Sequence, residues 1–147
     1  MTFESFNLDR EAHDLVLNIQ SLPISAKDKK EVFNQAHTMR STVAFGLERF
    51  WGEQIRLKGS AKGNYWRDTW KVLCKIMELA GIELPSDEVR NENDGEKIQQ
   101  ISKRIWDLEN QQRLVALAIL TQLCDSMVWW TQRYKKLAGD RKPSIQE

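Results

Sequence analysis

The sequence predicts an all-α fold: a compact bundle of about five helices, with one long second helix and one long last helix. Three observations lead there. Apolar residues recur with a 3.6-residue period in five segments. Gly 7 and Pro 3 in 147 residues disfavour a loop-rich β protein. No internal repeat and no low-complexity tract interrupts the chain. A chain of this length buries roughly 68–70% of its unfolded surface, so neither disulfides nor metal are needed to hold it together. Hydrophobic residues at 41% and charged residues at 29% give an ordinary globular balance and exclude collagen-like, membrane and disulfide-scaffold classes.

The first helix is expected from about Leu8 to Leu22, with Ala12, Leu15, Ile19 and Leu22 on one face and Pro23 closing it. Ser25-Ala26-Lys27-Asp28 resembles a capping box and opens the second helix. Val32, Ala36, Met39, Val43, Leu47 and Phe50 then form one sustained stripe, carrying this helix to about Leu57 and a stop at Gly59. Its length would be roughly 45 Å at 1.5 Å per residue. Gly46 and Gly52 inside it signal either close packing or a bend, and the pattern leaves both open.

Asn64 is the expected cap of a third helix, Tyr65 to Ala80, with Trp66, Trp70, Leu73 and Met77 on its buried face and Gly81 as its stop. Residues 82–95 show no period and read as a mobile acidic linker. A fourth helix presents Ile98, Ile101, Ile105 and Leu108, and a fifth runs from near Gln111 to Leu137. No Gly or Pro marks a join near Asn110, so a break there is left open. Residues 1–138 form a single bundle domain in this reading, and 139–147 a C-terminal tail.

Catalytic chemistry finds little support in the residues. His13 and His37 lie on different helices, and His13-Asp14 are chain neighbours that point about 100° apart, too far for a simple relay. Cys74 and Cys124 sit in apolar helical patterns, which reads as buried free thiols in a reducing compartment. The four Cys and His residues stand in separate places, whereas a structural zinc site needs four converging ligands. Phosphate-loop, dinucleotide and zinc-protease motifs are absent. The expectation is therefore a non-enzyme with no catalytic residues, no metal and no cofactor. The N-terminus lacks the basic and apolar regions of a signal peptide. The longest fully apolar run, Leu114–Leu120, falls well short of the roughly 20 residues of a membrane span. A cytoplasmic location without membrane contact is expected.

Charge is distributed unevenly although the formal net charge is only +1. Arg56, Lys58, Lys62, Arg67, Lys71 and Lys75 fall between Gln54 and Met77 with Asp68 as the single acid. Arg67, Lys71 and Lys75 are spaced i, i+4, i+8 and form one row, rising roughly 6 Å per step. Arg133, Lys135, Lys136, Arg141 and Lys142 make a second basic cluster, while residues 83–96 carry six acids against Arg90. Such rows suit a phosphate backbone, which rewards charge without base readout. They equally suit a solvated face whose Lys and Arg stems cover the core. Basic faces and an acidic loop on one chain also fit head-to-tail self-association. Six tryptophans need partners for their N–H groups if buried, whereas an exposed one beside a cation stacks on a base or anchors an interface. Trp51, Trp130 and Tyr134 are the candidates for the interface role.

The order of these features resembles the small helical subunit of Cmr-type (type III-B) CRISPR effector complexes. In that family an amphipathic N-terminal helix precedes an Ala-Phe element, a Tyr-led helix with Trp, a linker and a long basic-ended final helix. Val43-Ala44-Phe45 corresponds to the Ala-Phe element and Tyr65-Trp66-Arg67 to the Tyr-led helix. Gln112-Arg113 through Trp129-Trp130, Arg133 and Lys136 corresponds to the last helix. The Asn-Gly-Leu that usually precedes Ala-Phe is missing, with Met39-Arg40-Ser41 in its region. The resemblance spans roughly residues 8–138 through short motifs. It implies a noncatalytic subunit, several copies of which stack along the complex beside other effector subunits. Contact with guide RNA and target RNA would run through the phosphate backbone. Arg56, Lys58, Lys62, Arg67, Lys71 and Lys75 are then the expected nucleic-acid contacts, joined by Arg113 and Arg133. The competing expectation is a helical protein–protein adaptor whose grooves bind a partner helix without nucleic acid.

Overall fold

The apolar stripes become the buried faces of seven α-helices among the residues that the computed structural model describes, 7–86 and 95–140, with side chains through 135. They are α1 (Leu8–Gln20), α2 (Ala26–Phe33), α3 (Gln35–Thr42), α4 (Leu47–Arg56), α5 (Ala61–Leu79), α6 (Gly95–Trp106) and α7 (Asn110–Asp140). The protein is thus an all-helical bundle, as its periodicity requires. Helix α7 is the spine: α1 and α3 lie along it, α4 pairs with α5, and α6 closes against α4.

The expected single long second helix is not formed. Ser25 does cap its start, its Oγ accepting from Asp28 N at 3.1 Å. The run is then divided into α2, α3, a 3-10 turn at Val43–Phe45, and α4. Asn34 separates α2 from α3, and Gly46 separates the 3-10 turn from α4. Gly46 has φ +105°, a conformation that a side chain disfavours, so this glycine marks a break in direction. The apolar stripe continues across both breaks because each segment still points Val32, Ala36, Met39, Val43, Leu47 and Phe50 into one core. Gly52, by contrast, lies inside α4.

Helix α5 begins earlier than Asn64 implied. Ser60 is its cap, accepting from Gly63 N at 3.0 Å. Gly63 is buried against the preceding loop, where a Cβ would overlap the Leu57 carbonyl oxygen. The start of α5 is therefore set by close backbone approach as well as by the cap. Phe50 of α4 and Trp66 of α5 pack with ring centroids 4.8 Å apart at the centre of the core. Trp66 Nε1 donates to Gln35 Oε1 of α3 at 2.8 Å, which satisfies the buried indole.

The segment following α5 is only partly a linker. Leu84 is buried, and the Pro85 carbonyl accepts from Trp70 Nε1 at 2.8 Å, so residues 82–86 dock on α5. The remainder of the expected linker through Asp94, and the tail after Asp140, lie outside the described residues. Helices α6 and α7 are separate, divided at residues 107–109. Over Asn110–Lys135, α7 is long and apolar enough by composition to cross a membrane, which the longest apolar run did not suggest. Its Ala116, Ile119, Leu120, Leu123, Cys124 and Met127 are nevertheless buried in the bundle core.

Candidate nucleic-acid interface

Helix α5 buries Trp66, Trp70, Leu73, Ile76 and Met77 and turns Arg67, Lys71 and Lys75 outward. The 3.6-residue repeat makes this division: residues four apart share a face, and the basic row lies beside the apolar one. Lys71 and Lys75 then meet Arg104 of α6 across a cleft of about 440 Å³. Cys74, Leu84 and Ser86 contribute to its lining, together with the acids Glu78 and Glu83. Arg104 was not singled out from the sequence. Its only signal was a Lys103-Arg104 pair on the polar side of α6, indistinguishable there from an ordinary solvated face.

The remaining expected cations are placed less uniformly. Arg67 bonds Asp68 through Nη2 at 3.1 Å. Lys75 Nζ lies 2.6 Å from Glu11 of α1. Lys62 faces Glu31 of α2 at 3.7 Å and lies about 140° around α5 from Arg67, off the row. Arg56 forks onto Glu53 with bonds of 2.7 to 3.0 Å, which raises its pKa further. Lys58 is exposed in the turn after α4. These contacts lower the net field below what the run of basic residues implied. Exposed pairs of this kind are worth about 0–1 kcal/mol, so a phosphate competes with the carboxylates readily.

Arg113 and Arg133 do not join the α5 row. Arg113 Nη2 donates to the carbonyls of Ile105 and Trp106, making it the cap of α6. Arg133 holds its guanidinium carbon 3.6 Å from the centroid of the Trp129 ring.

Of the three expected interface residues, Trp51 is corrected outright. It is only 3% exposed, because α4 points it into the core with Phe50. Trp130 is half-buried and donates from Nε1 to Asp9 Oδ1 of α1 at 3.1 Å. Tyr134 is also half-buried, its hydroxyl 2.7 Å from His13 Nε2. The exposed member of the adjacent pair is Trp129, at 48%. The adjacency itself was the available signal, since two neighbours cannot share one helix face.

His13 and Asp14 also depart from expectation. His13 Nδ1 lies 3.3 Å from Asp14 Oδ1, although the two are chain neighbours on α1. Both ring nitrogens of His13 therefore have partners within the α1–α7 contact. Among the described residues, no three His, Cys, Asp or Glu side chains gather as a metal site requires. Burial pushes the thiols of Cys74 and Cys124 up to about 12, with Arg104 opposing this weakly at Cys74. Both remain protonated and poorly nucleophilic at neutral pH.

Comparison with protein-family models, with curated proteins and with solved structures finds no match to this chain.

Proposed function

We propose that this chain is a noncatalytic small subunit of an RNA-guided CRISPR ribonucleoprotein effector of the Cmr type (type III-B), acting in antiviral defence in the cytoplasm. It packs along the guide RNA–target RNA duplex through a basic face, beside other effector subunits and further copies of itself. The observation that carries this reading is the convergence of Lys71, Lys75 and Arg104, from two helices, on one open cleft. These three cations, beside the acids Glu78 and Glu83, suit phosphate oxygens, and the order of helices and short motifs supports the Cmr-type reading. Neither feature calls for base-specific contacts.

The test is RNA affinity of the whole chain against salt for wild type and for Arg67→Glu/Lys71→Glu/Lys75→Gln. Gln at 75 avoids placing a second carboxylate against Glu11. Wild-type log affinity should fall with log salt, and the variant's slope should flatten by about 0.7 for each single-strand phosphate no longer neutralised. Equal affinity and equal slope would remove the phosphate face.

A second reading, a helical protein–protein adaptor without nucleic acid, is favoured by a different observation. Phe45 at 67%, Trp106 at 60% and Leu114 at 64% are exposed, and Phe45 and Leu114 stand three residues and one residue from the Glu48–Arg113 pair. Exposed apolar side chains so placed are typical of a protein contact. An adaptor predicts partner binding with little salt dependence.

A further inference from the structure

We infer that Trp129 and Arg133 form a stacking platform for an unpaired nucleobase, so that the chain engages a single-stranded segment as well as a phosphate backbone. The inference rests on the nucleic-acid reading above and adds to it the class of strand recognised.

Two tryptophans are strongly exposed, and only one is held in place. Among the described residues, Trp106 has no ring or cation contact, although it is 60% exposed. Trp129, at 48% exposure, is fixed from two sides. The Arg133 guanidinium lies over its ring at 3.6 Å, and Trp130 meets it edge-on with centroids 4.8 Å apart. Trp130 is in turn anchored by Asp9 and by the edge-on ring of His13 at 4.6 Å. Arg133 is itself tethered, donating from Nη1 to the Trp129 carbonyl at 3.1 Å. The result is an exposed indole whose orientation is set before any ligand arrives, which lowers the entropy cost of binding.

The surroundings favour a base over a protein side chain. Gln122, Asp125 and Gln132 are the exposed neighbours of Trp129 on α7, whereas the exposed apolar Leu114 lies about four turns earlier on that helix. Asp125 is paired with Arg40 at 2.6 Å, and Arg133 is the cation held against the ring, whereas Lys135 lies about 120° around α7 and donates to Asn34 Oδ1 at 2.7 Å. With Arg133 covering one face, Trp129 would take a base against the ring surface that Arg133 leaves exposed, while the guanidinium meets the attached phosphate. Base–aromatic stacking with adjacent cations is the common device of sequence-tolerant single-strand binding.

The experiment measures affinity of the whole chain for a short oligouridine, an abasic strand of the same length and an RNA duplex of the same length. Wild type should prefer the base-bearing strand to the abasic one. Trp129→Ala should weaken oligouridine binding by about tenfold and erase that preference, with duplex binding retained. Trp129→Phe should retain most of it, and helical circular dichroism should be unchanged in both variants. If Trp129→Ala leaves the preference for bases intact, the platform is overturned while the phosphate face stands. If it disrupts a protein complex without altering strand affinity, the surface is a protein contact and the platform is likewise overturned. Failure of wild type to bind any of the three nucleic acids would overturn both readings.

Discussion

Nη2 of Arg113 donates to the carbonyl oxygen of Ile105 at 2.8 Å, so a side chain from the first turn of α7 closes the last turn of α6. The same nitrogen reaches the Trp106 carbonyl at 3.0 Å, and Nη1 lies 3.7 Å from Glu48 of α4. One guanidinium thus ties three helices together, joins the Leu108 N–H at the Ile105 carbonyl and satisfies that of Trp106 at the helix end. Arg113→Ala should lower stability by about 1–2 kcal/mol, read as a reduced denaturation midpoint. Its effect on RNA affinity should be small when measured well below that midpoint. A large drop in affinity at unchanged stability would return Arg113 to the nucleic-acid face.

Two glycines on neighbouring turns should respond in opposite directions. Gly46 has φ +105°, so Gly46→Ala should destabilise by about 1–2 kcal/mol. Gly52 is helical with open space where a Cβ would stand, so Gly52→Ala should stabilise by about 0.5–1 kcal/mol. Urea titrations of the two variants decide the matter, and equal effects would contradict the division between the 3-10 turn and α4.

Trp51 and Trp129 differ in burial, and their truncations should differ accordingly. Trp51→Ala empties a core position and should cost about 3–5 kcal/mol. Trp129→Ala removes a surface cation–π pair and should cost no more than about 1 kcal/mol. Thermal melts of both variants would show the contrast directly. A comparable destabilisation in the two would mean that Trp129 is a packing residue rather than a surface platform.

The buried thiols give a pH dependence with a defined sign. Cys74 and Cys124 are pushed from 9.0 up to about 12 by burial, so the unfolded chain releases these protons at lower pH than the folded one. Their contribution to stability is fully present below about pH 9 and is lost as the pH rises from there towards 12. The decline should approach about 1.4 kcal/mol per pH unit for each thiol inside that window. Denaturation midpoints measured from pH 8 to 11 should fall less steeply in Cys74→Ala/Cys124→Ala. At pH 8 the native thiols should label far more slowly than those of the chain in denaturant, and equal rates would show that neither cysteine is buried.

Helical class, the apolar stripes of α1 and α5, the stop before Pro23 and the cap at Ser25 were legible in the sequence because each depends on residues a few positions apart. Periodicity could not divide the second helical run, since α2, α3 and α4 present one continuous stripe to the core. The positive φ of Gly46 and the turn at Asn34 depend on how those segments meet α5 and α7. The basic row on α5 was legible from spacing alone, but its partners were not. Glu11 and Arg104 reach it from other helices, and only packing brings them near. The adjacency of Trp129 and Trp130 required that one leave the core; which one was decided by Asp9 and His13, contributed by a helix more than a hundred residues earlier. Local spacing fixes which residues share a helix face, because the geometry of one helix is short-ranged. Which face is buried, which cation is neutralised and which aromatic stays in water depend on long-range contacts that form only when the helices assemble.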